Sequence, residues 1–354
     1  MNRIGKRIIS SIIIMLMLLS MLSGCGEEVT VKNQKKTDSD KIQIGMCFDS
    51  FVIERWQRDR DVFVSTAKEL GADVNVQNAN GDVEEQKNQI EYFIKKKMDI
   101  IVIVSIDADA IASSVEKAKD QGIKVVAYDR PIPNADVDLY VSFDNELVGQ
   151  LIAEAFLKSG LKNNKVLMLC GPLTDNNVPM VEAGFLNVME ENNVEVVDIF
   201  HVDGWKAELA SDYVFDNMET IEQVDAIMCG NDDLASKVVY ALSEKRLAKK
   251  KLVAGQDADL EACQRIVEGT QLMTVYKPIE KLAREAAGAA VALAKGEEID
   301  ESKLSTYTSE KGEVPYLKIE PVSVTQDNMD SVIIKSGFHL KEDVYLNVPG
   351  KSAD

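Results

Sequence analysis

Apolar runs of about five to seven residues alternate along this chain with stretches in which apolar residues recur every three to four positions. "IQIGMCF" (42–48), "ADVNVQN" (72–78), "DIIVIVS" (99–105) and "KVVAY" (124–128) read as strands. Between them, residues from about 55 to 70 place Trp56, Phe63, Ala67 and Leu70 at helical spacing. Residues 84–97 do the same with Ile90, Phe93 and Ile94, and a third helix runs to about 120. A continuous apolar run such as 99–105 is expected of a strand covered on both faces. Strand and helix in strict alternation predict a parallel, doubly wound sheet. The pattern restarts at "KVLMLC" (165–170) and continues through "VEVVDIF", "DAIMCG", "KLVAGQ" and "QLMTVYK" (271–277). Two such halves predict an α/β chain of two lobes, each a doubly wound parallel sheet, joined by a hinge. Chain crossings are expected at 139–147, at 277–281 and near 305–325. The expected division is 42–144 for the N-terminal lobe and 145–278 for the C-terminal lobe. Residues 279–308 would return to the first lobe, and 309–354 to the second with a tail of loops and short strands.

The first residues do not fit this alternation. Arg3, Lys6 and Arg7 precede the apolar run "IISSIIIMLMLLSML" (8–22), which is too short for a comfortable membrane span. "LSGC" (22–25) follows, small residues before a cysteine, as in bacterial lipoprotein signals. The expectation is a signal peptide over 1–24, a lipid on Cys25 that anchors the protein to the outer face of the cell membrane, and a polar tether over 25–41. An ordinary signal peptide with an incidental cysteine is the alternative.

The 354 residues carry a net charge of −19, which argues against a nucleic-acid partner because phosphates need Lys and Arg. Beyond Cys25 there are four cysteines, Cys47, Cys170, Cys229 and Cys263, with no CxxC spacing and only two histidines, His201 and His339. That argues against a zinc site, and no metal or cofactor is expected. An exported protein permits a disulfide, but the spacing pairs none of the four.

Three strands end in charged or amide side chains: "KVVAYDRPIP" (124–133), "DAIMCGNDD" (225–233) and "KLVAGQDAD" (251–259). In open α/β sheets ligands sit at the carboxyl ends of strands, so these tips are expected to line a cleft between the lobes. The candidate lining is Asp129, Arg130, Asn177, Asn231 and Asp257, with Arg55 and Trp56 after the first strand, Trp205 in "DGW" and Lys277. Asp, Arg and Asn present forked acceptors and donors that match neighbouring hydroxyls on a ring. Trp56 and Trp205, the only tryptophans, offer flat faces for stacking. A phosphate ligand would want a Gly-rich turn, and neither GxGxxG nor GxxxxGK[ST] occurs. Each residue also has a plainer reading. Asp129 and Arg130 suit a surface turn before Pro131, and Asn231 suits a helix cap. Trp56 and Trp205 suit a core, and Lys277 suits a solvated helix start.

The stretches "ERWQRDRDVF" (54–63), "NANGDVEEQ" (78–86), "VVAYDRPI" (125–132), "SFDNE" (142–146) and "TDNN" (174–177) carry a family resemblance. "VDGW" (202–205), "GNDD" (230–233), "GQDADL" (255–260) and "MTVYKPI" (273–279) extend it over about 42–340. The chain resembles the sugar-binding lipoproteins and periplasmic proteins of ABC importers, in the ribose/galactose-type class with the two-lobed type I periplasmic-binding-protein fold. Within that class it is most similar to the D-xylose-binding proteins. The resemblance implies xylose contacts from Arg55, Trp56, Asp129 and Arg130 in one lobe and from Asn177, Trp205, Asn231, Asp257 and Lys277 in the other. It implies a capture protein without enzymatic activity that presents a monosaccharide to an ABC permease, with a membrane sensor kinase as the alternative partner. Paired carboxylates at Asp129 and Asp257 would suit a glycoside hydrolase instead. Their cationic neighbours Arg130 and Lys277 oppose the raised pKa such an acid needs. A transcription regulator of the same fold is excluded by the signal segment and by the lack of an N-terminal helix-turn-helix pattern.

Overall fold

The computed structural model describes residues 41–52 and 55–351. The expected signal peptide, Cys25 and all of the tether except Lys41 lie outside the described residues. The first half runs β1 (Ile42–Phe48), α1 (Arg55–Glu69), β2 (Ala72–Asn78), α2 (Val83–Lys95), β3 (Ile100–Ile103), α3 (Ala108–Asp120), β4 (Lys124–Tyr128) and β5 (Leu139–Phe143). The second runs α4 (Asn145–Ser159), β6 (Lys165–Cys170), α5 (Asn177–Glu191), β7 (Glu195–His201), α6 (Glu208–Asp216) and α7 (Met218–Gln223), then β8 (Ala226–Cys229), α8 (Asp232–Glu244), β9 (Leu252–Gln256), α9 (Leu260–Glu268) and β10 (Met273–Tyr276). It is followed by α10 (Ile279–Lys295), β11 (Ser305–Ser309), β12 (Gly312–Ile319), β13 (Val322–Thr325) and α11 (Lys341–Val344).

Helix starts follow the polar residues placed there. The Asp82 side chain accepts from the Glu84 and Glu85 amides, Asp107 from Ala110, and Asp144 from Leu147. Each satisfies amides that have no partner inside the helix. The strands β3 and β8 are buried at every position, as continuous apolar runs require.

Two sheets result. The first has the order β2-β1-β3-β4-β5-β12-β11 and the second β7-β6-β8-β9-β10-β13. Both place their first strand between the second and the third, the order that opens a crevice at the carboxyl ends. All pairings among β1–β5 and among β6–β10 are parallel. Among the described residues the chain crosses between sheets three times: between Phe143 and Asn145, between Tyr276 and Ile279, and between Ile319 and Val322.

The third crossing corrects the expected division at 309. Residues 312–319 do not enter the second lobe; β12 runs parallel to β5, with Tyr316 opposite Tyr140 and Ile319 opposite Phe143. The physical reason is aromatic packing: the Tyr316 ring stacks on Tyr140 at 4.5 Å, and its hydroxyl donates to the Phe143 carbonyl. Only after Pro321 does the chain join β10, through antiparallel β13. The tail then touches both lobes. Gln264 of α9 donates to the Asp343 carbonyl at 2.8 Å, and Arg58 of α1 donates to the Phe338 carbonyl at 2.9 Å.

Helices α4 and α5 meet backbone to backbone. A Cβ on Gly149 would lie 2.0 Å from the Val181 carbonyl oxygen, and one on Gly184 would lie 1.9 Å from that of Glu146. Neither neighbour is a side-chain end that can swing away. Gly184→Ala is therefore expected to force the helices apart and cost about 1–3 kcal/mol of stability, the range for overpacked cores. Denaturant melts of the two proteins check this, and an unchanged midpoint would contradict the contact.

Candidate ligand-binding site

The strand tips of both sheets converge on one cavity of about 510 Å³ of empty space, mouth included. Its lining contains all nine residues expected from the sequence: Arg55, Trp56, Asp129, Arg130, Asn177, Trp205, Asn231, Asp257 and Lys277. It adds Cys170, Gly171, Asp175, Val178, Val181, Glu182, Met228, Gly230 and Gln256.

The plainer readings resolve residue by residue. Asp129 and Arg130 are each 3% exposed, which excludes a surface turn. Lys277 is also buried, with Nζ 3.4 Å from Asp257 Oδ1, rather than solvated. Asn231 caps a helix and lines the cavity at once: its Oδ1 accepts from the Leu234 amide at 2.9 Å, which leaves its Nδ2 donors without a partner among the described residues. Trp56 is likewise both. It packs near Phe48 in the first-lobe core, while its Nε1 is buried and unpartnered. Trp205 follows Gly204 in a single tight turn, and its ring lies over two bare backbones. A Cβ on Gly171 would fall 2.2 Å from that ring and one on Gly230 3.2 Å.

Arg55 is the hub. Its Nε lies 3.1 Å from Asp59 Oδ2, its Nη2 2.9 Å from Asp129 Oδ2, and its Nη1 3.9 Å from Asp257 Oδ1 in the other lobe. The Tyr128 hydroxyl donates to Asp59 from behind. Arg130 is gripped in the same way, by Asp49 at 2.8 Å, by the Ser105 carbonyl at 2.8 Å and by Asp175 of the second lobe at 2.6 Å. Burial works against both guanidinium charges, but the carboxylates around them outweigh it and hold each above its ordinary pKa. Burial lifts the carboxyls of Asp49, Asp59 and Asp175. It pulls Asp129 the same way, but Arg55, Lys277 and Arg130 prevail and leave that carboxyl below the usual range. Three cations among five carboxylates leave no surplus positive charge for an anionic ligand. An ionised Asp129 is also unsuited to act as a general acid.

Asp129 and Asp257 hold equivalent places. Each follows the fourth strand of its sheet with positive φ (64° and 101°), and each amide donates at 2.8 Å to the fifth strand, at Val141 and Val275. Non-glycine residues in that region mark backbone held in place by its surroundings.

Sequence reasoning missed Asp49, Asp59 and Asp175. Asp59 had a signal, its i,i+4 spacing from Arg55. Asp175 stands in "TDNN", two residues from Asn177, but its role depends on a partner in the other lobe. Of the cysteines, Cys170 lines the cavity, and no disulfide joins Cys47, Cys170, Cys229 and Cys263, all of them buried.

Comparison with known proteins places the site in context. A family model described as a periplasmic binding protein domain matches residues 44–298. The chain is 42% identical over 313 residues to a D-xylose-binding periplasmic protein of Haemophilus influenzae, covering 87% of this chain and 93% of that one. It is 41% identical over 310 residues to the D-xylose-binding periplasmic protein of Escherichia coli, covering 86% and 93%. Among solved structures, an ABC transporter solute-binding protein from Clostridium phytofermentans with bound β-D-glucose superposes with a TM-score of 0.76 at 27% identity, over 85% of this chain and 99% of that one.

Replacing Gly171 by Ala is expected to lift the Trp205 ring off the cavity floor. A red-shifted tryptophan emission, read in a Trp56→Phe background where Trp205 is the sole indole, checks this; an identical spectrum would mean the ring does not rest there.

Proposed function

As the chain belongs to the periplasmic binding protein family, we propose that it captures D-xylose, or a similar aldopentose, between its two lobes and presents it to a membrane ABC importer. It is a binding protein rather than an enzyme, and its family works outside the cytoplasm. The observation that carries the reading is the composition of the cavity. Forked polar groups from two lobes converge on it together with two indoles, in a site without surplus positive charge. A neutral ring bearing several hydroxyls matches that lining. The identity to D-xylose-binding relatives supports the choice of sugar. No observation favours a sensor kinase as partner, and that alternative is not carried further.

Specificity would follow from pairing. A ligand that lacks one of the expected hydroxyls leaves a buried polar group unsatisfied, which costs more than a lost apolar contact. The unpartnered Trp56 Nε1 and Gln256 Oε1 are one buried donor and one buried acceptor for which a ligand hydroxyl would serve. The sequence supports a finer location: a lipid on Cys25 and the tether would hold the body at the outer face of the cell membrane.

Calorimetry with a panel of aldoses is the test, with one-site binding of D-xylose expected. Asp129→Asn turns an acceptor into a donor in a dry site and is expected to weaken binding about ten- to a hundredfold. Trp205→Ala is expected to cost about 1–3 kcal/mol of binding through lost stacking. Absence of binding to any sugar in the panel would overturn the reading. Separately, Cys25→Ser is expected to abolish lipid labelling and release the protein from membranes. Membrane retention of that variant would overturn the anchor alone.

A further inference from the structure

Asn177 reaches from the second lobe to the first, and all four hydrogen-bonding positions of its amide are engaged. Its Nδ2 donates to the Asp129 carbonyl and to Asp129 Oδ1, both at 3.1 Å. Its Oδ1 accepts from Asn145 Nδ2 at 3.0 Å and from the Tyr140 hydroxyl at 3.3 Å. An amide has two donors and two acceptor sites, so this one is saturated by protein. The Asp129 carbonyl is equally crowded, since the Ser142 hydroxyl donates to it and the Tyr140 hydroxyl lies 3.2 Å away. Beside this cluster, Asn176 Nδ2 lies 3.4 Å from the Pro131 carbonyl. Asp129, Tyr140, Ser142, Asn145 and Asn177 are all buried, and none of these bonds requires a ligand.

Tyr140, Ser142 and Asn145 do not line the cavity. They hold Asn177 and the positive-φ Asp129 in mutual register from behind. The scaffold is stiff enough for this. Asn145 and Asn177 open α4 and α5, the helices locked together through Gly149 and Gly184, and the Tyr140 ring is fixed on Tyr316.

We propose that Tyr140 and Asn145 are positioning residues for ligand capture: through Asn177 and Asp129 they form a clasp across the cleft that stabilises the closed lobes whether or not sugar is present. The clasp rests on the capture reading above. It assigns to these residues the closed fraction of the protein, which scales the apparent affinity for every ligand by one common factor.

The test uses Tyr140→Phe, which keeps the ring and removes one hydroxyl, and Asn145→Ala. Small-angle scattering of the sugar-free proteins reads lobe separation. Calorimetry reads affinity for D-xylose and for each further aldose the unmodified protein binds. Stopped-flow tryptophan fluorescence reads release. The expected result is a larger radius of gyration without sugar, roughly three- to tenfold weaker binding with the ranking of sugars unchanged, and faster release. Unchanged scattering together with unchanged affinity overturns the clasp, even if the melting temperature falls, because the residues then serve packing alone. A loss confined to one sugar also overturns it, because it marks direct ligand contact. If the unmodified protein binds no aldose, the capture reading fails. Scattering then decides the clasp alone: expansion of the variants supports it, and unchanged size overturns it.

Discussion

The burial of the Arg55 guanidinium is the constraint on which the rest of the site depends. A charge taken out of water in an α/β core is tolerated only when it is paired and hydrogen-bonded on several sides. Here the pairing comes from α1 itself (Asp59), from the tip of β4 (Asp129) and from the tip of β9 in the other lobe (Asp257). The geometry of the cavity follows. Asp129 is drawn into left-handed backbone, Tyr128 must point its hydroxyl at Asp59, and the lobes must approach for Asp257 to be reached. Removing the arginine would leave Asp59 without its cation and Asp129 without its nearest one, with Lys277 still beside Asp257. Removing Asp59 would release the guanidinium from its inner support.

The two lobes contribute unequally to this arrangement. The first supplies both guanidinium groups and three of the five carboxylates, already bonded among themselves. The second supplies Lys277, Asp175, Asp257 and the amides of Asn177 and Asn231. The first half-site is thus largely preorganised by its own salt bridges, and the second completes it. Preorganisation of this kind lowers the ordering cost that otherwise erodes the affinity of a small polar ligand.

Much of the fold was legible in the sequence because the strands are buried on both faces. Runs such as "KVLMLC" admit no other period, and their ends in Asp, Arg and Asn marked the cleft. The boundary at 309 failed for an equally physical reason. "GEVPYLKI" carries Pro315 and alternates polar with apolar residues, so it reads as a short peripheral segment. Its place beside β5 is decided by Tyr316 stacking on Tyr140, about 175 residues away, a contact no local pattern can display. Asp175 escaped for the same reason. Its spacing to Asn177 says nothing of Arg130, which it meets only when the lobes are together. Arg55 and Asp59, by contrast, are neighbours on one helix and could have been paired from spacing.

The three crossings at Asp144, Lys277–Pro278 and Glu320–Pro321 make the molecule a tethered pair of receptors. A ligand resting on one lobe meets the other at a local concentration set by these one- or two-residue links rather than by solution, which is the arithmetic of chelation. Neither half-site then needs to hold a small neutral molecule against water by itself. The same tether imposes a limit on thickness. A molecule too deep for the gap keeps the lobes apart, forfeits the second half-site entirely, and is rejected by a geometric threshold rather than by a graded loss of contacts.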